Sequence, residues 1–327
     1  MPRPLPADVR RIVITGASSG IGAATAIAFA ERGARLVLAA RGREGLEDIA
    51  ARCRIAGGEA HVAVVDTTDA AAVADLAEKA RVTLGGIDLW FSNVGVGVLG
   101  RFTDVPIADH ARVIDVNLTS HMNDAHAVLP IFLAQDRGIW VNMISLAGFV
   151  ATPYSAAYSA SKFGLKGFSQ SLRGELSKRP GIHICDIYPT FIDTPGVAHA
   201  GNYTGARLKP PPGAMPPEAV AKAVVRLAFH PRHSTTIGMP TAALKLAQMF
   251  VPNLAPAVMN GFLDKWTADT ERGPNGSGSI HEHKGDGGAL TSGFPRPDPR
   301  PAITGAAAVG AGIAAIGFVA WFARRKR

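Results

Sequence analysis

Tyr158, Lys162 and Ser145 are the residues whose types and spacing could do chemistry. Tyr158 and Lys162 stand four apart in YSASK, in an alanine- and serine-rich stretch that reads as a helix, so both lie on one face. A tyrosine hydroxyl ordinarily titrates near 10 and exchanges protons poorly at neutral pH. An ammonium about 4 Å away, at an effective dielectric of about 20, favours the phenolate by about 4 kcal/mol, roughly three pKa units. That brings the phenol towards the range where general acid–base catalysis works best. Ser145 ends an apolar run upstream, placed to hydrogen-bond a reacting oxygen. A YxxxK pair alone is common on surface helices; what precedes this one gives it meaning.

The strand candidate RIVIT runs into Thr15-Gly16-Ala17-Ser18-Ser19-Gly20-Ile21-Gly22, and a helical pattern follows. Glycines here let the backbone turn tightly and approach a pyrophosphate, while a helix N-terminus offers free N–H groups. Gly16, Ser18, Ser19, Gly20, Ile21 and Gly22 are therefore cofactor-binding candidates. The next strand candidate ends Ala39-Ala40-Arg41, with Arg43 close by. An acidic residue there would favour NAD, whereas a guanidinium suits the 2′-phosphate of NADP. A solvated arginine at a helix start would look the same. Asp66, ending the third strand candidate, is placed to meet an adenine, although a plain helix cap would be indistinguishable.

These groups need a scaffold. Short apolar runs at 11–15, 35–40, 61–65, 87–91, 139–145 and 182–188 alternate with helical stretches such as AATAIAFAERG and AAAVADLAEKA. Continuous apolar strands separated by helices predict an α/β fold, a doubly wound parallel sheet covered on both faces. Its ligand belongs at the carboxyl ends of the strands.

With these motifs in place the chain resembles the short-chain dehydrogenase/reductase family, over residues from about 10 to 240. TGASSGIG, Ser145, Tyr158 and Lys162 stand in that family's order and spacing, and the resemblance implies a Rossmann fold. It also implies that Asn117, in DVNL, is a fourth catalytic residue holding a water in a proton relay to Lys162. Pro189, Ile192 and Thr194, in PTFIDT, match the segment that holds the nicotinamide carboxamide. Asn93 stands in Ser92-Asn93-Val94-Gly95 where the family has NNAG, and Thr190 replaces a usual glycine. Arg41 matches the basic residue of NADP-preferring members. The implied reaction is hydride transfer between NADP(H) and a carbonyl or alcohol. Tyr158 would give or take the hydroxyl proton, Lys162 would lower its pKa and bind the nicotinamide ribose, and Ser145 would fix the oxygen. A homo-oligomer is the expected assembly, although the final strand STTIGMPT lacks the glycine-rich ending of the compact tetrameric members.

The bulk properties agree with a chain that buries a core: 47% hydrophobic and 18% charged residues over 327 positions exclude global disorder. Two cysteines, Cys53 and Cys185, exclude a disulfide scaffold and read as buried thiols. The formal charge of +8 comes half from the last four residues, Arg324 to Arg327. No arginine-rich face interleaves with aromatics, so nucleic-acid binding is not expected, nor is a metal site. Met1 to Asp8 carries no secretory signal.

The expected organisation is a catalytic domain over 1–240, a helical extension over 241–270 and a flexible linker over 271–301. A transmembrane helix over 302–323 and a basic tail over 324–327 complete it. The linker is expected from its glycine, proline and scattered charge, with His281-Glu282-His283 solvated rather than metal-binding. Residues 302–323 are uncharged and as a helix about 33 Å long, against a hydrocarbon core of about 30 Å. Trp321 and the terminal cations suit interface anchors. The loop over 195–217, rich in proline, suggests an apolar substrate. Two functions fit: a membrane-tethered oxidoreductase facing the cytoplasm and acting on a lipophilic carbonyl or alcohol, or a catalytically idle NADP-binding sensor or scaffold at the membrane.

Overall fold

The apolar runs become strands because each can be buried on both faces only inside a parallel sheet. In RIVIT every residue after Arg11 is buried, and in RLVLAA every residue after Arg35. The computed structural model describes residues 2–6, 9–211, 213–238, 260, 261, 263, 266, 270–282, 285 and 287–294. In chain order its elements are β1 (Arg11–Thr15), α1 (Gly20–Ala30), β2 (Arg35–Ala40), α2 (Arg43–Ile55), β3 (Glu59–Val64), α3 (Ala70–Leu84), β4 (Leu89–Ser92) and β5 (Val98–Leu99). Then follow α4 (Ile107–Ile114), α5 (Ser120–Gln135), β6 (Gly138–Met143), α6 (Ala156–Glu175), β7 (Ile182–Pro189), α7 (Pro195–Ala198), β8 (Gly201–Asn202), α8 (Pro217–Phe229) and β9 (Ser234–Ile237).

The main sheet is seven-stranded in the order β3-β2-β1-β4-β6-β7-β9, and all its pairs are parallel. This is the doubly wound Rossmann-like architecture that the alternation predicts. One face packs on α1, α2 and α8 through residues such as Phe29, Leu46 and Val224; the other packs on α3, α5 and α6 around Trp90, Trp140 and Phe132. Trp90 and Trp140 are register partners on β4 and β6, both without exposure. The strand order reverses between β1 and β4, which opens a crevice at their carboxyl ends.

Local chemistry sets the boundaries. Asp69 caps α3, its side chain accepting from the Ala71 and Ala72 N–H groups, and Gly85 ends that helix at φ 75°. The 139–145 run stops as a strand at Met143. Ser145 then caps a 3₁₀ turn, Leu146–Gly148, accepting from the Ala147 N–H at 3.2 Å. The third strand begins at Glu59, two residues before the apolar pattern does. Both cysteines are free and buried, and burial pushes each thiol up to about 12.

The stretch expected as a flexible linker lies instead against the domain in its described parts. Asn202 and Gly276 exchange backbone hydrogen bonds at 2.8 Å, and Ala206 bridges Arg272. Ile280 is fully buried beside Val98, Val105, Val113 and Ala157, and Leu290 packs on the core that includes α1 and α2. Single apolar anchors within a glycine-rich segment do what its average composition would not. Most of the expected extension over 241–270, and the whole expected span over 302–323, fall outside the described residues. No described helix is long and apolar enough to cross a membrane.

Candidate active site

Helix α6 places Tyr158 and Lys162 one turn apart beside the carboxyl end of β6. Lys162 is 3% exposed, and its Nζ donates to the Met143 carbonyl at 3.1 Å. Burial alone pulls its ammonium down to about 7. The Tyr158 phenol is pushed up by burial, while a hydrogen bond with Ser145 pulls it back. Lys162 Nζ lies 5.7 Å from the Tyr158 ring centroid. The depressed tyrosine expected from spacing is thus not what burial produces, since the phenol is shifted upward. Both groups lose hydration together, and it is the lysine that reaches neutrality.

Asn117 sits in a π-helical turn, Asp115–Thr119, between α4 and α5. Such turns interrupt the helical ladder and often mark functional positions. Its Oδ1 accepts from the Val96 N–H at 2.7 Å, and its Nδ2 donates to the Val96 carbonyl at 2.9 Å and to Ser161 Oγ at 3.3 Å. It therefore stands one layer behind the cleft, fixing Val96, which lines it. His121, which the sequence did not single out, does the same for Val94, whose carbonyl lies 2.7 Å from Nε2. Burial, helped by the nearby Lys162 charge, lowers His121 to about 4.

At the other end of the cleft the glycine turn forms a tight cradle. A Cβ on Gly22 would fall 2.0 Å from the Gly16 carbonyl oxygen, and one on Gly20, at φ +54°, would fall 3.2 Å from Thr194 Cβ. Asn93 Nδ2 donates to the Gly16 carbonyl at 3.2 Å, tying β4 to the turn. Beneath it, Thr15 and Ser92 hydroxyls both donate to Asp124 Oδ2 at 2.8 Å, and burial raises that carboxyl to about 6. Arg41 and Asp66 lie on the rim. Asp66 accepts from Thr68 N–H and Oγ1 and from Arg112 Nη2 at 3.3 Å. Burial lowers the Arg41 guanidinium, with Asp66 opposing that and Arg112 adding to it.

Gly16, Ser18, Ser19, Gly20, Ile21, Arg41, Asp66, Asn93, Ser145, Tyr158, Lys162, Pro189, Ile192 and Thr194 all line one cleft of about 470 Å3. Of the sequence candidates, only Gly22 and Asn117 stand behind its wall. Thr190 replaces the expected glycine without closing the cleft: its side chain packs towards Gly238 and Met215. The cleft also uses residues that sequence reasoning missed, among them Arg112, Leu263, Trp266 and Ser279. Nothing in their local pattern distinguishes them. The cradle, the N–H groups of α1 and the Arg41 rim fit a phosphorylated dinucleotide, and the Ser145–Tyr158 pair fits a carbonyl or hydroxyl oxygen.

The fold and this site define a nucleotide-dependent oxidoreductase architecture. A short chain dehydrogenase family signature spans residues 10–203, and the chain belongs to that family. It is 34% identical over 251 residues to an uncharacterised oxidoreductase of Bacillus subtilis (strain 168), covering 76% of this chain and 70% of the relative. A second uncharacterised oxidoreductase, from Staphylococcus aureus (strain USA300), is 33% identical over 221 residues, 68% of this chain and 91% of its own. Among solved structures, an alcohol dehydrogenase from the archaeon Thermococcus sibiricus, complexed with 5-hydroxy-NADP, superposes with TM-score 0.60 at 25% identity, over 70% of this chain and 96% of that one. A metagenomic short-chain oxidoreductase in complex with NADP gives TM-score 0.59 at 28% identity, over 71% and 100%.

Proposed function

We propose that the chain is an NADP(H)-dependent oxidoreductase that interconverts a lipophilic carbonyl compound and its alcohol, held to a membrane by its C-terminal segment. One observation carries the reading: a single cleft has Ser145, Tyr158 and Lys162 at one end and the glycine turn with Arg41 at the other. The NADP and 5-hydroxy-NADP complexes of the two structural neighbours support the choice of cofactor. Arg41 would meet the 2′-phosphate, the turn from Gly16 to Gly22 the diphosphate, and Pro189, Ile192 and Thr194 the carboxamide. NADP(H), when bound, supplies or takes up the hydride.

The chain's own residues handle the proton. Ser145 orients the substrate oxygen, and the Tyr158 hydroxyl gives its proton to that oxygen in reduction and recovers it in oxidation. Lys162, with an ammonium that burial brings to about 7, holds the next proton at Nζ. Asn117 keeps Val96 and the neighbouring wall in place. Leu99, Leu146, Leu208, Leu263 and Trp266 make the substrate end of the cleft largely apolar, which supports a lipophilic substrate.

The tether rests on the uncharged stretch 302–323 and the cations behind it. It puts the catalytic domain on the cytoplasmic face, where apolar substrates collect beside the bilayer. Exposed Met122 and Leu133 of α5 and Phe163 of α6 supply apolar surface for a homo-oligomer. The test is full-length protein in liposomes with NADPH or NADH, a panel of lipophilic ketones and aldehydes, and Tyr158→Phe alongside. NADPH oxidation that Tyr158→Phe abolishes is the expected result. Tight NADPH binding with no turnover of any carbonyl, or of alcohols with NADP⁺, would replace the enzyme by an NADP-binding sensor.

A further inference from the structure

The described residues 279–282 and 287–293 hydrogen-bond to residues at successive points along the cofactor cleft. At the Asp66 end, the Ile280 carbonyl accepts from Arg112 Nε at 3.4 Å, the same guanidinium that holds Asp66. The His281 carbonyl accepts from Arg41 Nη1 at 3.3 Å. In the middle, the Ala289 carbonyl accepts from the Gly20 N–H at 2.9 Å, at the start of α1. At the far end, the Ser292 N–H donates to Asp193 Oδ1 at 3.1 Å, and its hydroxyl donates to the same oxygen. Asp193 lies between Ile192 and Thr194, both lining the cleft.

These contacts fix the segment at defined latches. His281 Nε2 lies 2.8 Å from Asp109 Oδ1, a buried carboxylate that also accepts from the Tyr203 hydroxyl at 2.8 Å. Ile280 is buried without exposure, and the Gly288 carbonyl accepts from Arg52 Nη1 at 3.0 Å. Yet the segment does not fill the cleft beneath it. The cavity of about 470 Å3 remains lined by Ser18, Ser19, Gly20, Ile21, Arg41 and Asp66, and among the described residues of 279–282 and 287–293 only Ser279 borders it. Of the first-turn donors of α1, only the Gly20 N–H is taken by the segment; those of Ile21 and Gly22 lack intrahelical partners by geometry.

We propose that these residues form a clasp over the cofactor cleft, latched by His281 on Asp109 and Ser292 on Asp193, which opens to admit and release the dinucleotide and closes over it when bound. This rests on the NADP(H) reading above. A clasp gates traffic in both directions, so weakening a latch raises the open fraction and speeds association and dissociation alike. A plug competing with the cofactor would behave differently, its loss raising affinity. A wall that merely touched bound cofactor would change dissociation alone.

The experiment is stopped-flow fluorescence of NADPH binding to the full chain, comparing wild type with His281→Ala, Ser292→Ala and the double variant. Far-UV circular dichroism checks folding, and Ser292→Thr, which keeps the hydroxyl, serves as the conservative control. Losing one latch hydrogen bond should raise both rate constants about five-fold, and the pair about 25-fold, with Kd within about two-fold of wild type. Ser292→Thr should keep wild-type rates. Amide hydrogen exchange in 279–282 and 287–292 should slow when NADPH binds. Unchanged rates, a tighter Kd, or a rise in dissociation alone would each overturn the clasp while leaving the cofactor assignment intact. No NADPH binding by the wild-type chain would overturn both.

Discussion

Gly22 gives the sharpest test of how the cofactor cradle is built. It lies within the first turn of α1 in ordinary helical backbone, so by helix propensity alanine should stabilise it by about 0.5–1 kcal/mol. Packing opposes this. The added Cβ would lie 2.0 Å from the Gly16 carbonyl oxygen, 2.8 Å from its carbon and 2.9 Å from Asn93 Nδ2. Real Cβ contacts are essentially absent below 3.0 Å, so the turn must move by at least 1.0 Å (3.0 less 2.0). The nearest atoms are backbone and cannot rotate away. Overpacking of this kind costs about 1–3 kcal/mol, which outweighs the propensity gain and leaves Gly22→Ala about 1–2 kcal/mol less stable. A domain of this size should then melt about 3–6 °C lower. Moving the turn also pulls N–H donors away from a diphosphate, and losing one charge-assisted bond of about 1.5–3 kcal/mol weakens NADPH binding about 10- to 100-fold. Gly167→Ala is the control: Gly167 is exposed in α6 with nothing within 4 Å of its added Cβ. It should gain about 0.5–1 kcal/mol and bind NADPH as wild type does. Calorimetric titration and thermal melts of both variants decide the matter. Gly22→Ala binding NADPH within about three-fold of wild type and melting higher, as Gly167→Ala does, would refute the cradle argument.

Three further predictions follow from the same geometry. Arg41→Ala should weaken NADPH binding about 10- to 100-fold, the loss of one charge-assisted contact, and leave NADH binding unchanged; equal losses for both would remove Arg41 from the 2′-phosphate site. Burial raises the Asp124 carboxyl to about 6, above its ordinary value of about 3.9 in an unfolded chain. Its contribution to stability is therefore full below about pH 4 and lost as pH rises through 6, a difference of about 3 kcal/mol. Melts of Asp124→Asn against wild type should show the variant gaining stability between pH 4 and pH 8, and a pH-independent difference would contradict the raised carboxyl. Trp266→Ala should raise KM for the bulkiest apolar ketone about ten-fold, with kcat little changed, because it removes apolar cleft surface and leaves Ser145, Tyr158 and Lys162 in place; an equal fall in kcat would place Trp266 nearer the reacting atoms.

What was legible in the sequence was local. The runs at 11–15 and 35–40 coincide with β1 and β2, since an apolar run between turn signals has few other ways to be buried. Tyr158 and Lys162 share a helix face because four residues make one turn, and the glycine turn reads as a cradle from eight consecutive residues. What was not legible depends on contacts between distant parts of the chain. The neutral pKa of Lys162 comes from what covers α6, which no spacing encodes, and that is why the expected proximity effect on Tyr158 gave way to desolvation of both groups. Arg112 looks like any solvent-facing helical arginine until Asp66, Asp115 and Ile280 are seen around it. The 271–301 stretch reads as linker because composition averages away Ile280 and Leu290. Arg41 and His281 meet across a separation of 240 residues. The candidate groups of this cleft are thus written in short motifs that can be read singly, whereas the segment that bonds to its rim is placed by pairings that compositional reasoning cannot reach. A chain can therefore carry motifs that read plainly while a segment that looks, residue by residue, like spacer bonds to the residues of the same cleft.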